Sequence, residues 1–170
     1  MHHYALVVIK NPGLMTIKNT VDVMTNDQKP TDEDIYGSLS TERIEEYKKE
    51  AKERWGSADA YRQSQERAKE FTKDDWKKMS ERTDADLRAM VALMAAGKSP
   101  ESAEVQAEVS VHHAGIERFY DCSTQIYRGL GDMYLADHRF GDFYRKYHAD
   151  LPEFLVKAMR AFCDLREKKA

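Results

Sequence analysis

Apolar residues recur every three or four positions along almost the whole chain after residue 40, and no run alternates apolar and polar positions with β-branched residues. Three- and four-residue spacing places apolar side chains on one face of a helix, whereas a half-buried strand requires strict alternation. Only four prolines and eight glycines are present to interrupt such helices. The pattern therefore predicts an all-α protein.

The amino-terminal segment repeats this pattern on a smaller scale. Four apolar residues there follow a 3-4-3 spacing that is similar to the a and d positions of a coiled coil. They are Leu14, Ile17, Val21 and Met24. Residues 25 to 31 are polar and contain Pro30, which is typical of a linker. We therefore expect an arm and linker over residues 1–30 and a separate domain over residues 31–170.

Capping residues and helix-stop residues divide the rest of the chain into helices. Ser40 or Thr41 begins a helix that Gly56 ends, and Ser57 begins the next. Thr72 and Asp75 form a variant of the capping box, which opens a long helix that ends at Gly97. Four further helix starts are predicted at Ser99-Pro100 or Ser102, after a break at Asp121 to Ser123, at Asp137, and at Asp150-Leu151-Pro152.

Charge and cysteine content narrow the class of protein. Thirty acidic residues against twenty-seven basic ones give a net charge of −3, with both signs interleaved, so we expect no direct nucleic-acid contact by this chain. The apolar run from Tyr4 to Ile9 is far shorter than a membrane span, so no membrane contact is expected. Cys122 and Cys163 are too few for a disulfide scaffold, which favours a reducing, cytoplasmic location.

Aromatic residues concentrate around two helix-interior glycines, Gly129 and Gly131. Eight of the seventeen aromatic residues lie between Phe119 and Tyr147. Each helical glycine costs about 1 kcal/mol relative to alanine, so a reason for it is expected. Close helix-helix contact is the commoner reason. The alternative is a cleft for a planar, partly apolar small molecule, flanked by Tyr127 and Tyr134, which lie seven residues apart on nearly the same helix face.

Few residues suggest catalysis or metal binding. His113, Glu117 and Asp121 are each one helical turn apart, but a histidine beside an apolar stripe is more often a hydrogen-bonded wall residue. Cys122 stands near a predicted helix start, where the helix dipole can lower a thiol pKa, although a buried inert thiol is commoner. The sequence contains no phosphate-binding glycine loop and no nucleophile elbow. We therefore expect a non-enzyme with no catalytic residue, no metal site and no cofactor.

A series of spaced motifs resembles the TipAS-like antibiotic-recognition domain, the effector module of a branch of MerR-type transcriptional activators. The motifs are Glu53-Arg54-Trp55-Gly56, Thr72 to Trp76, Leu93 to Gly97, Phe119 to Ser123, Tyr127 to Gly131, Tyr134, Asp137, Arg139-Phe140 and Phe143-Tyr144. The resemblance covers about residues 31 to 168. It implies a globin-like helical fold without haem, in which a cleft receives thiopeptides or other multidrug ligands. It also implies that Leu14 to Met24 is the tail of a dimerisation helix, with which a homodimer is compatible.

Aromatic placement and the resemblance together suggest a site for an antibiotic such as a thiopeptide or another heteroaromatic drug. The candidate walls are Trp55, Phe119, Tyr120, Tyr127 and Tyr134, and the candidate polar edges are Asp121 and Arg128. In the thiopeptide-capturing branch of the family, a second cysteine stands seven residues after the Tyr-Asp-Cys triplet. Gly129 holds that place here, so the expected recognition is reversible and non-covalent.

Three alternatives stay open at the level of sequence. The chain is either part of a regulator or a free-standing domain that sequesters drug. A haem- or metal-binding globin-like protein would use His112 or His113 as a ligand. A purely structural dimerisation module would depend on Leu14 to Met24.

Overall fold

A computed structural model describes residues 59–168 together with Glu42, Glu45, Glu46 and Lys49. Six helices make up the regular structure of residues 59–168, and no strand occurs in that range, so the predicted all-α class is confirmed. The chain divides into two compact units, Met1–Arg82 and Thr83–Ala170. The predicted arm and linker, the coiled-coil residues, the predicted helix end at Gly56 and the candidate wall Trp55 lie outside the described residues. Glu42, Glu45, Glu46 and Lys49 are helical, as predicted for the helix before Gly56.

The helices are short, apart from the second. They are α1 (Asp59–Ala68), α2 (Lys73–Ala95), α3 (Ala103–Glu117), α4 (Thr124–Ala136), α5 (His138–Arg145) and α6 (Leu151–Glu167). Helix α1 ends before Phe71. The Phe71 ring lies edge-on to Trp76, with 5.8 Å between the ring centroids.

The predicted ends of α2 are confirmed in atomic detail. Backbone N–H of Thr72 donates to the Asp75 carboxylate over 2.9 Å, and backbone N–H of Asp75 donates to the Thr72 hydroxyl over 3.2 Å. These are the reciprocal bonds of a capping box. At the other end Gly97 adopts φ 70°, a left-handed conformation that glycine tolerates and that stops a helix.

Three of the predicted helix starts are capped by side chains, and one is not. The side chains of Ser102, Ser123 and Asp137 accept backbone N–H groups of α3, α4 and α5. Asp150 makes no such bond, and Pro152 in the first turn of α6 marks the start instead. Proline favours this position because its missing N–H would have had no partner there.

Helix α6 forms the centre of the second unit, where it packs against α3, α4 and α5. Its inward stripe is almost completely buried and contains Leu151, Leu155, Val156, Met159 and Cys163. Two ion pairs set its register against α4: Arg128 contacts Asp164, and Asp132 contacts Arg160 over 2.8 Å. Since the residue numbers rise along α4 as they fall along α6, the two helices run antiparallel. Within the described part of the chain, no helix has the length and apolarity needed to cross a bilayer.

Candidate ligand-binding site

Helix α4 carries two tyrosines and a glycine on its inner face. Tyr127 and Tyr134 are both 0% exposed, and Gly131 lies between them and is also buried. The spacing of four and then three residues places all three on one side of the helix. The predicted common face of the two tyrosines is therefore confirmed.

The two glycines have different surroundings. A Cβ atom on Gly131 would lie 3.3 Å from Cγ1 of Val156, so this glycine admits α6 to close contact with α4. A Cβ atom on Gly129 would meet nothing within 4 Å, and Gly129 is exposed. Helix-helix contact thus explains Gly131, whereas Gly129 lies on the opposite, open face of α4.

Tyr127 has a full set of polar and aromatic partners. Its hydroxyl lies 2.7 Å from Nδ1 of His112 and 3.4 Å from the Val109 carbonyl oxygen, to which it donates. Its ring lies edge-on to His113 at 4.8 Å and to Phe162 at 5.7 Å between centroids. The hydroxyl therefore serves the packing of α3 on α4.

His112 is held in its neutral form. Burial of the ring lowers its pKa to about 4, and the neighbouring His113 adds to that effect. The Tyr127 hydroxyl donates its one proton to the Val109 carbonyl oxygen, so a neutral His112 with its proton on Nδ1 donates to the Tyr127 oxygen over 2.7 Å.

Tyr134 and Tyr120 differ from Tyr127 in their hydroxyl groups. Both side chains are 0% exposed, yet neither hydroxyl has a hydrogen-bond partner within the described structure. The Tyr134 ring packs on Tyr144 at 5.1 Å and Phe140 at 6.2 Å between centroids. The Tyr144 hydroxyl lies near that of Tyr134, but the two oxygens do not reach hydrogen-bonding geometry.

Burial keeps these phenols protonated. It raises the pKa of Tyr120 well above its ordinary value, and the proximity of Tyr134 and Cys122 contributes further. Burial also raises the pKa of Tyr134, an effect that the Tyr144 hydroxyl partly opposes. Both groups are thus hydrogen-bond donors at neutral pH. Their mutual influence places Tyr120, in the turn after α3, near Tyr134 on α4.

The other candidate residues lie at the edge of this cluster. Phe119 is buried beside Tyr120, and Asp121 is exposed. Arg128 binds Asp164 and lies 3.0 Å from the Glu167 carboxylate, and these two carboxylates raise its pKa. A ligand that used Arg128 would have to share it with them. Aromatic neighbours outside the predicted walls, Tyr144 above all, complete the cluster.

The other chemistry considered from sequence finds little support. Nε2 of His113 lies 2.8 Å from the Cys122 carbonyl oxygen, and Nδ1 lies 3.4 Å from the Glu117 carboxylate. No group of three metal-ligating side chains occurs in the described part of the chain. Burial raises the pKa of Cys122 to about 12, with Glu117 next in effect, so the lowering by the helix dipole does not dominate. Nothing in residues 59–168 favours the haem- or metal-binding alternative.

The signal for this cluster was partly visible in the sequence. Aromatic density and the seven-residue spacing pointed to Tyr127 and Tyr134. No spacing rule joins His112 to Tyr127 or Tyr144 to Tyr134, because each pair joins different helices.

Comparison with known proteins gives a consistent result. The family model of the TipAS antibiotic-recognition domain matches residues 47–162. The HTH-type transcriptional activator TipA of Streptomyces coelicolor is 41% identical over 108 residues, which are 63% of this chain and 42% of TipA. The HTH-type transcriptional activator mta of Bacillus subtilis is 31% identical over 159 residues, which are 91% of this chain and 61% of mta. This chain therefore spans less than two thirds of either activator.

A solved structure shows the same fold. TipAS from Streptomyces lividans, in complex with nosiheptide and described as part of a thiopeptide antibiotic multidrug resistance system, aligns with a TM-score of 0.70 and 30% identity. The alignment covers 84% of this chain and 99% of that one. The resemblance stated from sequence is confirmed, and this chain belongs to the TipAS antibiotic-recognition domain family.

Proposed function

We propose that this chain is the effector-binding part of a MerR-type transcriptional activator and that it binds a thiopeptide or another heteroaromatic antibiotic reversibly. The observation that carries the proposal is the likeness to nosiheptide-bound TipAS, which extends over 84% of this chain. The relatives TipA and mta are both transcriptional activators, which supports a regulatory role. Their family is one of effector-binding domains, and we propose that this chain likewise has no enzymatic activity.

The proposed site is the aromatic cluster between α3, α4 and α5 together with its rim. Its members are Phe119, Tyr120, Asp121, Tyr127, Arg128 and Tyr134, and Trp55 is proposed as a further ligand contact without a place in this cluster. Tyr134 influences both Tyr120 and Tyr127, which places the three tyrosines in one cluster. Tyrosine combines an apolar ring with a polar hydroxyl, and this composition supports a site for flat heteroaromatic ligands. Trp55 enters from sequence and resemblance alone.

Two observations support non-covalent recognition. Gly129 stands where the thiopeptide-capturing branch has its second cysteine, so no nucleophile is available at that place. Cys122 is 4% exposed, and its raised pKa keeps it as a thiol, whereas the thiolate is the reactive form. Intact-mass measurement after incubation with nosiheptide and denaturation should return the unmodified mass.

The remaining parts of the proposal concern location, assembly and DNA. Interleaved charges and a net charge of −3 support a chain that does not itself contact DNA. The two cysteines are free, which fits the reducing cytoplasm. We also propose the division into an arm over residues 1–30 and a drug-binding domain over residues 31–170, with a homodimer formed through the arm.

Thermal unfolding with and without nosiheptide tests the central proposal. A ligand that binds only the folded state stabilises it by about 2.7 kcal/mol at one hundred times its Kd, so Tm should rise with nosiheptide concentration. Erythromycin, a macrocyclic antibiotic without an aromatic ring, is the matched control and should leave Tm unchanged. No shift with nosiheptide and no heat in titration calorimetry would contradict thiopeptide recognition by this chain.

A further inference from the structure

Two of the buried phenols hold hydrogen-bonding capacity that the described structure leaves unused. Tyr120 and Tyr134 are fully buried, and their hydroxyls have no partner there. Tyr127, on the same face of α4 as Tyr134, is the contrasting case. Its hydroxyl contacts both His112 and the Val109 carbonyl oxygen, as expected for a structural hydroxyl. The contrast separates one partnered phenol from two unpartnered ones within a single cluster.

An unpartnered hydroxyl in a protein interior destabilises the folded state, because folding removes water from it and returns no bond. Most buried polar groups are paired for this reason, and exceptions call for an explanation. Replacing either tyrosine with phenylalanine would remove the unpaired hydroxyl and keep the ring. An acceptor brought by a ligand would supply the missing bond.

We propose that Tyr120 and Tyr134 are paired hydrogen-bond donors that select ligands carrying acceptor atoms, namely the ring nitrogens of azoles or the carbonyl oxygens of amides. This inference rests on the proposed antibiotic-binding function and names the polar chemistry of that site. A neutral phenol offers one O–H, and its proton is satisfied only by an acceptor. The rings of Phe140 and Tyr144 pack on Tyr134, and such aromatic surroundings favour the flat heteroaromatic groups that carry these acceptors.

The two donors suit this role because they are desolvated in advance. Binding an acceptor breaks no protein hydrogen bond at Tyr120 or Tyr134, so most of the new bond appears as affinity. A hydrocarbon ring of the same shape would leave both hydroxyls unpaired and bind more weakly. Discrimination of this kind is strong when a site is built to bond a polar atom that a competitor lacks.

Their protonation state fits as well. Burial raises the pKa values of both Tyr120 and Tyr134, so each keeps its proton throughout the neutral range. The two hydroxyls come from different elements, one from the turn after α3 and one from α4. A ligand that accepts from both is therefore fixed in position as well as recognised.

Tyr120→Phe, Tyr134→Phe and the double variant test the inference with two measurements, Tm of the free protein and Kd for nosiheptide. Each single variant should leave Tm unchanged or raise it, since it removes a buried unpaired group. Each should weaken nosiheptide binding about tenfold, which is the expected loss for one hydrogen bond of about 1.4 kcal/mol. The opposite signs of the two effects distinguish a ligand contact from a merely structural residue.

Two phenylalanine variants act as controls. Tyr127→Phe removes a hydroxyl with protein partners and should lower Tm of the free protein. Tyr147→Phe removes a hydroxyl that already has an acceptor, since it donates to Asp84 over 3.1 Å. It should lower Tm slightly and leave Kd for nosiheptide within about twofold, a difference of about 0.4 kcal/mol.

The outcomes separate this inference from the proposed function. If Tyr120→Phe lowers Tm of the free protein as Tyr127→Phe does, the hydroxyl already has a partner and the inference is overturned. If wild type binds nosiheptide and both single variants bind it equally well, the inference fails while the proposed function stands. If wild type does not bind nosiheptide, the proposed function fails and takes the inference with it.

Discussion

Each end of the buried face of α4 carries a tyrosine, but the two tyrosines have different surroundings. Tyr127 and Tyr134 share a helix face and are equally buried. Near the amino end, α3 supplies His112 and the Val109 carbonyl oxygen to the Tyr127 hydroxyl. Near the carboxyl end, α5 supplies the rings of Phe140 and Tyr144 to Tyr134.

The difference teaches that burial alone does not assign a role to an aromatic residue. The partnered end has all the bonds it needs, so its tyrosine stabilises the packing of α3 on α4. The unpartnered end keeps a donor without an acceptor, which is unfavourable unless a ligand arrives. Comparing hydroxyl partners therefore separates a tyrosine whose hydroxyl stabilises helix packing from one whose hydroxyl we propose binds a drug.

Lowering the pH should destabilise the folded protein through His112, the partner of Tyr127. This is the largest effect that we expect. His112 gains a proton near pH 6.5 in the unfolded chain but only near pH 4 in the folded one. Between these values the unfolded state binds more protons, so stability should fall as pH is lowered from about 6.5 to about 4, by up to about 3 kcal/mol. Urea unfolding across this range measures it, and the His112→Asn variant, which keeps a donor near the Nδ1 position, should lack this part of the slope. Equal slopes for the two proteins would count against a neutral, buried His112.

Placing a side chain between the two ends should disturb both. Gly131→Leu would drive a branched side chain into Val156 and Met159 and should lower the free energy of unfolding by about 2 kcal/mol or more. Gly129→Leu, on the open face of the same helix, is the matched control and should raise it slightly, because leucine favours the helix over glycine. Equal effects at the two positions would contradict the close α4–α6 contact at Gly131.

Double-mutant cycles should show a larger coupling free energy at the Tyr127 end of α4 than at the Tyr134 end. Tyr127→Phe combined with His112→Phe should give a coupling free energy of about 1 kcal/mol, because the pair shares a hydrogen bond. Tyr134→Phe combined with Tyr144→Phe should give a coupling below about 0.5 kcal/mol, because the two hydroxyls are not bonded. Denaturant unfolding of the four variants in each cycle supplies the values. A large coupling in the second cycle would show that Tyr134 has a partner after all.

The smallest expected effect concerns the exposed glycine. Gly129→Ala should raise the free energy of unfolding by about 0.5 to 1 kcal/mol, because alanine favours the helix and its Cβ meets nothing. Nosiheptide titration of the same variant then asks whether the open face matters for binding. Unchanged affinity fits a ligand held by the inner face alone, whereas weaker binding would move part of the site to the outer face.

Local features of the fold could be read from sequence because they depend on residues a few positions apart. The capping box of Thr72 and Asp75, the stop at Gly97 and the start at Ser123 all lie where the sequence predicted them. The start of α6 at Asp150-Leu151-Pro152 also lies where the sequence predicted it. The surroundings of Gly129 and Gly131 could not be read in this way, because they depend on whether another helix packs against each residue.

The candidate site could be read only in part. Aromatic density and the family motifs located the cluster, since ring-rich segments are visible without coordinates. Cys122 shows the limit of that reasoning: a nearby helix start suggested a lowered pKa, but burial raises it to about 12. Burial is a property of all neighbouring elements together, and a single segment does not reveal it.

The sequence by itself determined the helical class, most helix ends, the aromatic cluster and the family, because periodicity, capping and motif spacing are encoded by near neighbours. Only the tertiary structure decided that Tyr127 is bonded to His112 while Tyr120 and Tyr134 are left unbonded. It also decided that Gly131, and not Gly129, admits a neighbouring helix. These outcomes depend on which groups distant segments bring within about 3 Å of each other, and hydrogen bonds act only over that range.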